Sequence, residues 1–132
     1  MLKVAFISEG NGCRTQMAEG FAKKDGKGII EPYSAGINPV AEVNPKAVAA
    51  MKEKGIDIAD QRPKRLDEIP KPDMVIAMDS EDDVPNIEGA VTLSWGLADP
   101  KDREDSFFNR VRDIVGARVR AMIEEIEDGV LP

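Results

Sequence analysis

The stretch Leu2–Lys24, LKVAFISEGNGCRTQMAEGFAKK, decides the fold. It opens with a short apolar run, Leu2–Ser8, which is rich in strand formers and ends at the turn signal Glu9-Gly10-Asn11-Gly12. From Arg14 to Lys24 the apolar residues recur at helical spacing. Four of them share one face: Met17, Ala18, Phe21 and Ala22. The sequence therefore predicts a strand, a glycine-rich loop and a helix in direct succession.

Three further apolar runs predict strands. These runs are Ile29–Ala35, Asp73–Met78 and Ala90–Leu93. The second is almost continuously apolar, which is typical of a strand that is covered on both faces. Two polar segments, Arg62–Pro70 and Asp79–Gly89, are predicted to be loops, and the first is expected to contain at most one helical turn.

Two further segments predict helices. Asn44-Pro45 is an N-cap residue followed by proline in the first turn, so a helix begins there and Gly55 is its expected stop. Arg103–Glu127 has the apolar stripe of a long amphipathic helix. The stripe consists of Phe107, Val111, Ile114, Val115, Val119, Met122, Ile123 and Ile126. The helix also carries four arginines that are assigned to its solvated face: Arg110, Arg112, Arg118 and Arg120.

This alternation of strands and helices predicts an α/β fold, in which a parallel sheet carries helices on both faces. With 132 residues and no linker, repeat or low-complexity tract, the chain is expected to form one domain, residues 1–132. Ligands of such sheets bind beyond the carboxyl ends of the strands. The loop after the first strand, Ser8–Arg14, lies at that end.

The composition argues against several classes of function. Acidic residues outnumber basic residues 25 to 18, and this net charge of −7 disfavours general binding to nucleic acid or to an anionic membrane. One cysteine and no histidine allow no internal disulfide, and neither a metal site nor a cofactor is expected. Because the N-terminus lacks the pattern of a signal peptide and no apolar run is long enough to span a bilayer, we expect a soluble cytoplasmic protein.

The loop between the first strand and the first helix suits an anion. Gly10 and Gly12 adopt positive φ at little cost, and Asn11 tolerates it better than most residues. Such a loop can turn its N–H groups inward, and the following helix points its positive dipole end into the same space. Arg14 adds a planar fork for two oxygens of a tetrahedral oxyanion. Many glycine-rich turns hold no ligand, so the residues alone leave both interpretations open.

The segment Phe6–Gly20, FISEGNGCRTQMAEG, resembles the phosphate loop of low-molecular-weight tyrosine phosphatases and arsenate reductases, whose pattern is C-x-x-N-x-C-R-S-Q-M-A-E. Later segments resemble the same family in order: Ser34-Ala35-Gly36, Gln61-Arg62-Pro63-Lys64, Trp95-Gly96-Leu97 with Asp99-Pro100, and the terminal helix from Phe107 to Ile114. The resemblance covers nearly the whole chain. It implies the family's fold, a three-layer α/β arrangement with a four-stranded parallel sheet flanked by helices.

The resemblance also implies roles for individual residues. The position of the nucleophilic cysteine falls on Ser8, that of the oxyanion-gripping arginine on Arg14, and that of the general-acid aspartate on Asp99. A phosphate, arsenate or sulfate-like anion is then expected in the loop, whose binding residues would be Glu9, Gly10, Asn11, Gly12, Cys13, Arg14 and Thr15. The Thr15 hydroxyl corresponds to the group that hydrogen-bonds the nucleophile.

Three positions that carry sulfur in the reductases carry other residues in this chain. One is Ser8, and the others are Ser80 and Val84, in a segment that resembles M-G-C-x-x-x-C-P. A serine hydroxyl is not ionised by surroundings that ionise a thiol, and it needs an adjacent general base. Cys13 is predicted to be a packing residue, with a displaced nucleophile as the alternative, and Glu9 is predicted to be an outward-pointing solvated acid.

Three interpretations of function stay open. In the first, the chain binds a tetrahedral oxyanion but has lost the thiol chemistry of phosphatases and arsenate reductases. In the second, Ser8 replaces the cysteine of an active phosphatase in which Asp99 protonates the leaving group. In the third, the chain is a non-enzymatic interaction module, and its acidic loop Asp79–Glu88 recruits an unknown protein partner.

Overall fold

The apolar run that opens the chain forms a central strand, as its sequence predicts. The computed structural model describes all 132 residues, Met1–Pro132. Its elements are the strands β1 (Leu2–Ser8), β2 (Ile30–Gly36), β3 (Met74–Ala77) and β4 (Val91–Ser94), and the helices α1 (Arg14–Asp25), α2 (Pro45–Lys52) and α3 (Asp105–Glu127). The order of elements is the predicted one.

β1 lies inside the sheet and pairs in parallel with β2 on one side and with β3 on the other. β4 pairs in parallel with β3, which gives the strand order β2-β1-β3-β4. Because all the strands run in one direction, their carboxyl ends meet at one edge, where Ser8 lies opposite Gly36. The predicted fold class, a four-stranded parallel sheet flanked by helices, is confirmed.

The element boundaries differ from the predicted ones by one or two residues at most ends. α2 ends earlier than expected: Glu53 is its C-cap, and Gly55, with φ of +74°, stands beyond the helix. The two segments predicted as loops each contain one 3₁₀ turn, Leu66–Glu68 and Glu81–Asp83. Neither α3 nor any other helix is both long and apolar enough to cross a membrane.

The two faces of the sheet are covered in different ways. Side chains alternate along β1, so that Phe6 and Ile7 point to opposite faces. Buried residues of all three α-helices join Phe6 in one large core. On the other face, Ile7 packs with residues of loops and 3₁₀ turns, among them Leu66 and Val84. All three α-helices therefore lie on one face of the sheet, whereas the alternation of strands and helices predicts helices on both faces. The prediction fails because the segments that cover the second face form only single 3₁₀ turns and loops.

The core-facing stripe of α3 is turned relative to the predicted one. Phe108 is buried in place of Phe107, and Ile114 is 47% exposed. Phe107 instead lies beneath the guanidinium of Arg103, whose Cζ is 3.7 Å from the ring centroid. The apolar residues that α3 buries are Phe108, Val111, Val115, Val119, Met122 and Ile123.

Arg112 was predicted to lie on the solvated face of α3, and this prediction is wrong. The side chain is buried between α3 and the end of α2. Its Nη1 donates to the carbonyl of Ala50 at 3.0 Å and to Glu53 Oε2 at 2.7 Å, and its Nε donates to Asp113 Oδ1 at 2.9 Å. Burial opposes the charge, but the hydrogen bonds that Arg112 donates to Asp113 and Glu53 outweigh it and raise the pKa of Arg112 above its ordinary value. Arg112 therefore ties α2 to α3.

Arg112→Ala is expected to lower the free energy of unfolding by about 3 kcal/mol, because it removes a buried cation that two carboxylates and a carbonyl share. The matched control is Arg118→Ala on the exposed side of the same helix, which is expected to change it by less than about 0.5 kcal/mol. Urea denaturation followed by circular dichroism measures both. Equal losses in the two variants would contradict a clamp at Arg112.

Candidate functional site

The loop that follows β1 is bound from outside by the segment that follows β2. The N–H groups of residues 37, 38, 40 and 44 donate to the carbonyls of residues 8, 9, 10 and 12 at 2.8–3.1 Å. The carbonyl of Asn11 accepts from Gln16 Nε2 at 3.0 Å. Because the loop carbonyls are all occupied in this way, the peptide N–H groups are the polar atoms that the loop presents to a ligand.

Six peptide N–H groups between residues 9 and 15 have no acceptor in the protein. They belong to Glu9, Gly10, Gly12, Cys13, Arg14 and Thr15. The last two stand at the first turn of α1, where a helix leaves its N–H groups unpaired and its dipole is positive. The arrangement has the composition of an anion nest, as the sequence predicts.

The two glycines of the loop serve a purpose other than the predicted one. Asn11, with φ of +54°, is the one loop residue in the left-handed region, and neither Gly10 nor Gly12 has positive φ. A Cβ at Gly10 would lie 3.1 Å from Val40 Cγ1, and a Cβ at Gly12 would lie 2.9 Å from Val40 Cγ2. Both positions therefore favour glycine, because a Cβ at either would have to displace the Val40 side chain that packs against the loop backbone.

Asn11 is fully buried and is held from three sides. Its Nδ2 donates to Thr15 Oγ1 at 2.8 Å, its Oδ1 accepts from the N–H of Lys64 at 2.9 Å, and its carbonyl accepts from Gln16. These bonds compensate for the left-handed backbone, which costs a non-glycine residue about 1 kcal/mol or more.

The hydroxyl of Ser8 is an acceptor toward the protein. It accepts the N–H of Asn11 at 3.0 Å and lies 3.3 Å from Thr15 Oγ1. Thr15 Oγ1 also accepts from Asn11 Nδ2, and because a hydroxyl has two lone pairs, either Ser8 or Thr15 can be the donor between them. Ser8 Oγ thus accepts one hydrogen bond from the loop backbone and shares a second with Thr15.

Arg14, the first residue of α1, is buried and its guanidinium crosses to the ends of β3 and β4. Nη1 donates to Asp79 Oδ1 at 2.7 Å and to the carbonyl of Leu97 at 2.6 Å, and Nη2 donates to Asp79 Oδ2 at 3.3 Å. Asp79 was not among the predicted site residues. Its place directly after a buried strand, at the carboxyl edge of the sheet, is the sequence signal that points to it.

Several residues of the predicted acidic loop, Asp79–Glu88, make hydrogen bonds within the protein. Asp79 is the partner of Arg14, and Ser80 caps the 3₁₀ turn that begins at Glu81. The Ser80 hydroxyl accepts the N–H of Asp82, and the Asp83 carboxylate accepts the N–H of Ser80, each at 3.2 Å. These acids are thus folded into one local turn.

One cavity of about 500 Å³ collects most of the predicted site residues. The loop from Ser8 to Arg14 forms one wall, and Asp79, Asp99 and Lys101 lie across from it. Asp99 Oδ2 is 3.8 Å from Arg14 Nη2, which places this carboxylate at the mouth, as the resemblance implies. Thr15 is the exception: it is fully buried, and it lies beneath Ser8 instead of on the cavity wall.

The two loop residues with predicted orientations behave as expected. The side chain of Glu9 is exposed and accepts from Asn38 Nδ2 at 2.6 Å. Cys13 is 9% exposed and packs in the main core. Burial and, to a smaller extent, the charge of Asp99 raise the pKa of Cys13 to about 11. No group of three His, Cys, Asp or Glu side chains is arranged to hold a metal ion.

Cys13 is expected to react slowly with iodoacetamide in the folded chain. A rise of its pKa from 9.0 to about 11 makes the thiolate fraction at pH 8 about 100-fold smaller, so alkylation should be slower by about that factor than in urea. The folded rate should then climb with pH up to about 11. Mass spectrometry of timed samples measures both rates. Equal rates in folded and unfolded chain would show an ordinary exposed thiol.

Comparison with known proteins places this site in a family. The family model described as low molecular weight phosphotyrosine protein phosphatase matches residues 3–130. An arsenate reductase of Brevibacillus brevis is 40% identical over 126 residues, which cover 92% of this chain and 93% of that protein. An arsenate reductase of Staphylococcus aureus (strain Newman) is 43% identical over 115 residues, which cover 83% and 87%.

Solved structures agree with the sequence comparison. An arsenate reductase in the phosphate binding state superposes with a TM-score of 0.85 at 35% identity, over 96% of this chain and 99% of that chain. A tyrosine phosphatase of Erwinia amylovora, at 19% identity and a TM-score of 0.81, shares the fold over 94% of this chain and 93% of that chain. From the near-complete family match and these identities, the chain belongs to the family of low molecular weight phosphotyrosine protein phosphatases and arsenate reductases.

Proposed function

We propose that this chain binds a tetrahedral oxyanion, phosphate or arsenate, in the loop Ser8–Arg14 and carries out no thiol chemistry on it. The observation that carries the proposal is the set of six N–H groups that have no acceptor in the protein, five of which belong to residues that line one cavity, Arg14 among them. Hydrogen bonds to a charged partner contribute about 1.5–3 kcal/mol each, so a few of them suffice for binding.

The similarity to a solved arsenate reductase in the phosphate binding state supports the same assignment. In this proposal the anion sits at the first turn of α1, where the peptide N–H groups and the helix dipole favour negative charge. Arg14 supplies its guanidinium, which Asp79 holds in place by accepting from Nη1 and Nη2. Asp99 stands at the mouth, in reach of the part of a ligand that projects outward.

Ser8 is the reason for proposing binding without covalent chemistry. A general base must remove the proton of its hydroxyl before the oxygen can attack, and the chain has no histidine to take that proton. In the proposed complex the Ser8 hydroxyl donates its proton to the anion. Because it stays neutral, it adds no negative charge to the loop and does not repel a dianion.

Ser80 and Val84, the other two positions that carry cysteine in the reductases, have structural roles in this chain. The Ser80 hydroxyl caps a 3₁₀ turn, and Val84 packs against the smaller core. Cys13 is the only thiol, and its raised pKa keeps it protonated at neutral pH. The proposed function therefore includes no thiol–disulfide shuttle.

Titration with phosphate, arsenate or sulfate is expected to shift the amide resonances of Gly10, Gly12 and Arg14 at millimolar concentration. Arg14→Ala should weaken phosphate binding at least about 10-fold, because it removes the charged donor of the site. Arg118→Ala, on the exposed side of α3, is the matched control and should bind like the wild type. Titrations followed by nitrogen-15 NMR measure anion binding by the wild type and by both variants. An unchanged loop at millimolar anion would refute the proposal.

A second candidate function, that of a phosphatase, is favoured by one observation. The N–H of Asn11 donates to the side-chain oxygen of residue 8, and the Thr15 hydroxyl lies 3.3 Å from that oxygen, so both groups would stabilise a thiolate at this position. In that candidate, a thiolate attacks phosphorus, the bond from phosphorus to the leaving oxygen breaks, and Asp99 gives its proton to that oxygen.

Ser8→Cys is therefore expected to create turnover of an aryl phosphate at mildly acid pH, whereas the wild type shows none. Adding Asp99→Asn to this variant should lower the rate by about 10²-fold or more, because it removes the proton donor. Release of the phenol, measured by absorbance, follows both. If Ser8→Cys binds phosphate but turns nothing over, the site is a binding site only, and the phosphatase candidate is rejected.

A further inference from the structure

The cavity is larger than a tetrahedral anion requires. Its volume of about 500 Å³ falls within the range of about 300–1,000 Å³ that is typical of small-molecule sites. It extends from the loop along the segment that follows β2, where Asn38, Glu42 and Asn44 line it. A ligand that fills it therefore has an organic part in addition to its oxyanion.

The charges of the cavity differ between its floor, which is the loop N–H groups with Arg14, and its rim, where Glu9 and Glu42 are exposed. The floor offers the unpaired N–H groups and Arg14. Four acidic side chains line the cavity, against two basic ones: Glu9, Glu42, Asp79 and Asp99 against Arg14 and Lys101. The charged side chains thus sum to −2, because four negative charges stand against two positive ones.

Two of these acids have no compensating cation in the protein. Asp79 and Asp99 lie within 4.0 Å of Arg14, but Glu9 accepts from the neutral amide of Asn38, and Glu42 makes no ion pair. Both are exposed at the rim. Lys101 lines the same cavity and makes no ion pair either, so a ligand that reaches past the floor meets two unpaired acids and one unpaired base, a net charge of −1.

We infer that the organic part of the ligand carries a positive charge, so that the site takes a small zwitterionic phosphomonoester, with an ammonium group beyond its phosphate. The inference rests on the proposed oxyanion binding and names the ligand class of that site. Such a ligand places its phosphate on the floor and its ammonium group beside Glu9 and Glu42. An ester with a neutral or acidic body lacks the second contact and, if acidic, is repelled.

Phosphocholine and 3,3-dimethylbutyl phosphate form a matched pair of probes, because they have the same shape and differ in the charge of the quaternary centre. Calorimetric titration of the full chain at low salt is expected to give phosphocholine a Kd about 3- to 10-fold lower than that of the neutral ester. The ratio should approach 1 in molar salt, because exposed charges are screened. Inorganic phosphate, titrated alongside, reports on the floor alone.

The double variant Glu9→Gln/Glu42→Gln is expected to remove the preference for phosphocholine and to bind inorganic phosphate more tightly than the wild type. Glu124→Gln, an exposed acid on α3, is the matched control and should keep the preference. Equal affinity of the wild type for the two esters, with inorganic phosphate still bound, would overturn the inference and leave oxyanion binding intact. Absence of binding by all three probes would overturn the proposed function and the inference with it.

Discussion

The structure of the site depends on the hydrogen bonds between the loop after β1 and the segment after β2. Donors of residues 37–44 take up the loop carbonyls from outside, and this fixes the direction in which the peptide N–H groups point. Val40 reinforces the contact by packing against the backbone at Gly10 and Gly12. The parallel pairing of β1 with β2 brings these two segments together, since both follow strands that end at the same edge.

The sequence predicts this edge well because its signals are local. An apolar strand, a glycine-rich turn and a helix that begins at an arginine lie in one continuous stretch, and the loop residues from Ser8 to Arg14 do line one cavity. Asp99 could be placed only through the resemblance, because the aspartate before a proline is otherwise an ordinary turn residue. The reason for the glycines lay outside the reach of the sequence, since it depends on Val40, which is distant in the chain.

The interactions that the sequence did not predict are those between distant segments. Periodicity assigns Arg112 to a face of α3, but it does not show that the end of α2 covers that face. It also cannot distinguish Phe107 from Phe108, because a small rotation of a helix exchanges adjacent residues between core and rim. Asp79 was assigned to an acidic loop and not to the site for the same reason, since its partner Arg14 lies 65 residues away in the chain. Each of these three cases is a charge or ring whose environment is supplied by another element.

The hydroxyl at residue 8 and the protonated thiol of Cys13 together determine how the chain meets oxidants. Peroxide reacts with thiolates, and it converts them to sulfenic and then to sulfinic acid. This chain has one cysteine, and burial holds the pKa of that cysteine at about 11, so at neutral pH almost none of it is thiolate. The loop donors and Arg14 contain no sulfur at all. At neutral pH the loop Ser8–Arg14 therefore presents no thiolate at which oxidation of this kind could begin.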